Sequence, residues 1–138
     1  MGLPMAKNIL KKTNLTVFNR TLKKTEILSK SGATVAKSIK DAVINADIII
    51  TMLSDDEAVL SIIKNEEFIK NIKSNSIVID MSSTKPKTAV DIYNLLKKKK
   101  INFLDAPVSG GPSGAENASL AIMVGGDQKN FNKVKKVL

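Results

Sequence analysis

The chain has 138 residues, about one domain, of which 43% are hydrophobic and only 4% aromatic, so its core must be Ile, Val, Leu, Met and Ala. It contains no cysteine and no histidine, which excludes disulfides, thiolate metal sites and thiol nucleophiles, and removes the commonest general base. The net charge of +9 is carried almost wholly by lysine, with Arg20 the single arginine; this reads as a solvated lysine surface that favours anionic ligands, not as a nucleic-acid platform.

In chain order, Gly2–Lys12 reads as a helix, with Leu3, Met5, Ile9 and Leu10 on one side and lysines towards its C-terminal end. Leu15–Asn19 is a short strand, and Leu22 to about Ser31 a helix with Gly32 as C-cap. Ala33–Ala36 is extended. Ser38 caps a helix to about Ala46. Asp47–Leu53 is a continuous apolar strand, the pattern of a parallel strand covered on both faces. Ser54 then caps a helix to about Lys64, with Asp55, Asp56 and Glu57 in the dipole-favoured first turn.

Ile77–Met81 is a second buried strand. Pro86 opens a helix to about Lys99. Ile101–Asp105 is a third buried strand, 112–118 a short helix or loop, and Leu120–Val124 a further strand ended by Gly125 and Gly126. Asp127 caps the last helix. Strand and helix alternate, which predicts an α/β fold with a doubly wound, mostly parallel sheet of the Rossmann type. No apolar run reaches the roughly 18 residues of a membrane span, and the N-terminus lacks a signal-peptide pattern. A soluble, cytoplasmic protein is expected.

In such sheets ligands bind beyond the strands' carboxyl ends. The residues there are Asn19-Arg20-Thr21, Met52-Leu53-Ser54, Ser82-Ser83-Thr84 and Pro107–Gly111. They are small, polar or flat and include no carboxylate, which suits an anionic, partly flat ligand. Serine and threonine after a strand also serve as plain helix caps. After the second strand of a dinucleotide-binding unit an acidic residue selects NAD, whereas an arginine accommodates a 2′-phosphate. Arg20 therefore points to NADP ahead of NAD, its guanidinium giving the bidentate contact that lysine cannot. Gly110 and Gly111 let the main chain approach a carboxylate, to which Ser109 can donate a hydrogen bond.

Val17–Thr21, Thr51–Ser54, Asp80–Ser83, Asp105–Gly111 and Leu120–Asp127 together resemble the NADP-binding domain of the β-hydroxyacid dehydrogenase family. That family includes 3-hydroxyisobutyrate dehydrogenase, glyoxylate/succinic semialdehyde reductase and, more distantly, 6-phosphogluconate dehydrogenase. Gly2–Asn8 is similar to the end of the family's glycine-rich fingerprint and its helix. The resemblance implies a hydride transfer between NADP(H) and a small β-hydroxyacid or acid semialdehyde. Gly2, Asn19, Arg20, Thr21, Met52, Leu53 and Ser83 would bind the cofactor. Ser109, Gly110 and Gly111 would hold the substrate carboxylate.

Two departures stand out. The family's first strand and two earlier glycines are missing, so a Rossmann sheet lacking its first strand is expected over residues 1–138. The family's catalytic lysine would lie beyond Leu138, with the helical domain through which the parent would form a homo-oligomer. No catalytic residue and no metal site is therefore assigned, and Lys85 and Lys87 are not taken as proton donors. The chain reads as a fragment, with little activity of its own. The alternative is a non-catalytic nucleotide- or partner-binding module of the same fold.

Overall fold

The computed structural model describes residues 1–138. It opens with helix α1 (Gly2–Leu10), strand β1 (Thr16–Val17), a 3-10 turn at Leu22–Thr25 running into α2 (Glu26–Lys30), and β2 (Thr34–Val35). There follow α3 (Ile39–Val43), β3 (Ile48–Thr51), α4 (Asp56–Ile63), α5 (Glu66–Asn71), β4 (Ile77–Asp80), α6 (Pro86–Lys97) and β5 (Asn102–Asp105). The chain ends with β6 (Val108–Ser109), α7 (Gly111–Glu116), β7 (Ala121–Ile122), β8 (Gly125–Gly126) and α8 (Gln128–Val134).

The central ladder is β3-β4-β5-β8, in which β3, β4 and β5 run parallel and β8 antiparallel. Period-2 alternation divides its side chains between two cores. Val78 and Phe103 face a core closed by Val43, Val59, Phe68 and Ile92 from α3, α4, α5 and α6. Ile77, Ile79 and Leu104 face the other, closed by Met5, Ala115 and Val134 from α1, α7 and α8. Apolar residues on both faces explain why these strands read as unbroken hydrophobic runs.

A separate parallel ladder joins β1 to β2. In the doubly wound order 3-2-1-4-5-6, β2-β1 and β3-β4-β5 match the two flanks, and no strand of this chain joins them. β1 and β3 each pair on one side only. As a result Ile48, Ile49 and Ile50 are half-buried, whereas Ile77–Asp80 are all buried. Both faces of β3 are covered as expected, with Ile49 packed on one core and Ile48 and Ile50 on the other; the unpaired edge is what leaves them half-buried.

Other expectations shift as well. Helix α5 has no counterpart in the sequence reading. Asn65 caps it by accepting from the Glu67 N–H, and Phe68 anchors it in the core. The cap of α4 is Asp55, whose carboxylate accepts from the Ala58 N–H at 2.8 Å, while Ser54 donates to that carboxylate. The strand expected at Leu120–Val124 shortens to Ala121–Ile122 and pairs antiparallel with Val108–Ser109, outside the central ladder. Gly125 and Gly126 do not end that strand. They are β8, laid against Leu104 and Asp105 where bare backbone fits closely.

Candidate functional site

Three parallel strands end level with one another. Thr51, Asp80 and Asp105 close β3, β4 and β5 and are register partners. The segments that follow them therefore leave the sheet side by side at its carboxyl edge.

Helix α1 begins against the same edge. A Cβ on Gly2 would lie 3.8 Å from the Met52 Cβ. No side chain caps α1, which leaves the first N–H groups and the positive end of the dipole available to an anion. Met52 and Leu53 are half-buried and give an apolar surface beside them. The Leu53 N–H donates to Ser82 Oγ at 2.9 Å. Ser82 is fully buried and Ser83 exposed, so the turn presents one hydroxyl outward from an anchored neighbour. Thr84 Oγ1 is buried without a partner.

The Ser109–Gly111 loop is built by backbone pairing. β6 and β7 form a two-residue antiparallel ribbon that holds Ser109 opposite Ala121. Gly110 follows with φ at 132°, where a Cβ would come 3.1 Å from Leu120 Cδ2. That conformation is open to glycine and strained for other residues. Ser109, Gly110 and Gly111 are all exposed. Asn8 of α1 donates through Nδ2 to the carbonyls of Ala115 and Glu116 at 2.8 and 3.3 Å. The helix that faces Met52 thus also holds the end of the helix that leaves the Ser109–Gly111 loop.

The structure brings Gly2 to Met52, and Leu53 to the Ser82–Ser83 turn, with Ser109–Gly111 leaving the adjacent strand. Asn19, Arg20 and Thr21 lie after β1, on the other flank. Asn19 Oδ1 accepts from the Thr21 N–H at 2.9 Å and shapes that turn. Arg20 is exposed and belongs to neither ion pair of the molecule. No hydrogen bond joins these three residues to the remainder of the site.

Carboxylates sit beneath the edge. Burial pushes the Asp105 carboxyl above its ordinary value, and the charge of Asp80 adds to the effect. Asp56 is held below its ordinary value by the Thr88 hydroxyl and then by the Lys85 N–H. Sequence reasoning included Asn8 and Asp80 in matching segments but gave neither a role. Asp80 had a visible signal, a carboxylate ending an otherwise apolar strand. Asn8 had none, because its partners are backbone carbonyls 107 and 108 residues away.

The chain is similar to known proteins in sequence and in fold. The sequence matches, over residues 1–138, the family model described as the NAD binding domain of 6-phosphogluconate dehydrogenase. It is 35% identical to the NAD-dependent L-serine dehydrogenase of Pseudomonas aeruginosa over 137 residues, 98% of this chain and 46% of that protein. The fold superposes with a TM-score of 0.95 on 3-hydroxyisobutyrate dehydrogenase of Mycobacterium tuberculosis with L-serine, at 32% identity, covering 100% of this chain and 47% of that one. An imine reductase from Myxococcus stipitatus in complex with NADP+ gives a TM-score of 0.90 at 26% identity, covering 99% of this chain and 47% of that one. The chain spans about half the length of the curated relatives it matches.

Proposed function

The chain belongs to the family of the NAD-binding domain of 6-phosphogluconate dehydrogenase, and we propose that it forms the dinucleotide-binding half of an oxidoreductase that uses NADP(H) on a small β-hydroxyacid or the matching acid semialdehyde. The observation that carries this reading is the meeting of the uncapped α1 N-terminus with Met52, at the edge where Ser83 and Ser109–Gly111 also emerge.

The donor set suits the ligand. The first N–H groups of α1 offer a cradle for the pyrophosphate, and Met52 and Leu53 a flat apolar surface for the dinucleotide. The nicotinamide, when bound, supplies or accepts the hydride. Ser109 and the backbone at Gly110 and Gly111 orient the substrate carboxylate. Serine, which is named with two of the relatives, is itself a small β-hydroxyacid. No residue within 1–138 is assigned the transfer of the hydroxyl proton.

For NADP over NAD the support is Arg20, an exposed guanidinium three residues after the end of β1. Titration of the chain with NADPH and NADH, followed by nucleotide fluorescence, tests both parts. The expected result is tighter binding of NADPH, with Arg20→Ala weakening NADPH about tenfold and leaving NADH nearly unchanged, as befits the loss of one charge-assisted contact. Equal affinity for the two nucleotides would remove the NADP assignment. Binding of neither would remove the dinucleotide assignment.

A further inference from the structure

Asp80 is an unusual residue to find at the buried end of an interior strand. It is fully buried, and burying a carboxylate is costly unless its bonds repay the lost water. Those bonds converge on one oxygen. Oδ1 accepts from Thr51 Oγ1 at 2.8 Å, from Ser82 Oγ at 2.7 Å and from the Ser82 N–H at 3.2 Å. The Asp80 carbonyl accepts from the Ala106 N–H at 2.7 Å. One residue is therefore bonded to the ends of β3, β4 and β5, where the three candidate loops leave the sheet.

The relay continues one step. Ser82 gives its hydroxyl proton to Asp80, which aims its lone pairs elsewhere, and one of them receives the Leu53 N–H at 2.9 Å. Without Asp80 the Ser82 hydroxyl is free to turn, and the Leu53 N–H loses a fixed acceptor. Oδ2, by contrast, is buried without a partner, so it holds nothing in place.

We propose that Asp80 is a positioning residue for the dinucleotide, acting through Ser82 to fix the Met52-Leu53 turn. Its charge strengthens the bonds it accepts, but the geometry needs only the Oδ1 acceptor. A side-chain amide in its place would keep that acceptor and replace an oxygen that has no donor, so Asp80→Asn preserves the relay while Asp80→Ala destroys it. The effect on binding rests on the dinucleotide reading above. The effect on the turn does not.

The test uses Asp80→Ala, Asp80→Asn, Ser82→Ala and the double variant with alanine at both positions. Two quantities are read: amide hydrogen exchange of Leu53 without nucleotide, and NADPH affinity by fluorescence. Ser82→Ala and Asp80→Ala are expected to speed Leu53 exchange relative to the β4 amides and to weaken NADPH about fivefold to tenfold, the scale of one lost hydrogen bond. Asp80→Asn is expected to restore both. The double variant is expected to bind no more weakly than Asp80→Ala, because the two residues act in series.

Unchanged Leu53 exchange in Ser82→Ala, a substitution small enough to leave the fold intact, would overturn the proposal. So would release of Leu53 with NADPH affinity unaltered, or failure of Asp80→Asn to rescue either quantity. If the parent chain binds neither nucleotide, the dinucleotide reading fails, and Leu53 exchange still decides whether Asp80 holds the turn.

Discussion

Gly126 occupies a place where no side chain fits. Its φ is 136°, and a Cβ would stand 2.8 Å from Leu104 Cδ2 and 3.1 Å from the Phe103 carbonyl oxygen. Gly126→Ala is expected to destabilise the chain by about 1–3 kcal/mol, from backbone strain alone. Urea unfolding measures it, and an unshifted midpoint would count against this packing. Asp105 makes a pH-dependent contribution. Its carboxyl titrates above the ordinary value of 3.8, so the folded state holds a proton that the unfolded chain releases. The stabilisation is complete below 3.8 and is lost as pH rises through the folded value. Asp105→Asn is therefore expected to raise Tm more at pH 7 than at pH 4, relative to the parent. An equal change at both pH values would contradict the assignment.

Four helix starts in this chain are fastened by side chains, those of Ser38, Asp55, Asn65 and Asp127, and a further fastening spans two elements. Asp56, in the first turn of α4, accepts from the Thr88 hydroxyl and from the Lys85 N–H at the start of α6. Both bonds hold its pKa down, so this stabilisation is complete above 3.8 and fades as pH falls through the lower folded value. Asp56→Asn is expected to lower Tm at pH 7 and to narrow the gap from the parent below pH 3, as followed by circular dichroism. Such helix starts were largely legible: Ser38 and Asp127 cap as their positions predict. Asp55 took the place expected for Ser54, since the carboxylate accepts from the Ala58 N–H while the hydroxyl donates to it. The short α5 escaped notice. Its signal was the Asn65-Glu66-Glu67 start followed by Phe68 and Ile72 one turn apart.

At the scale of the molecule, the alternation of apolar runs and helices was enough to read a doubly wound sheet, and the segments singled out after β3, β4 and β5 leave it from strand ends that stand in register. What the sequence concealed were bonds between distant residues. The Thr51–Asp80 and Asn8–Ala115 contacts cross 29 and 107 positions, and no local pattern encodes them. The split between the two ladders has an energetic consequence. β1-β2 consists of two register pairs and borders neither core with fully buried strand residues, whereas β4 and β5 lie between two paired neighbours. Hydrogen exchange is expected to open β1-β2 well before β4-β5. Protection of equal depth in both ladders would mean that they unfold as one unit.

In the proposed function a single dinucleotide groove along the carboxyl edge unites both ladders. An NMR titration of the 15N-labelled chain with NADPH tests it most directly. Amide shifts are predicted to concentrate at Gly2 and Leu3, at Asn19–Thr21, at Met52 and Leu53, and at Ser83. A saturable shift map confined to one ladder, or centred on the opposite edge around Asp47 and Lys73, would contradict it.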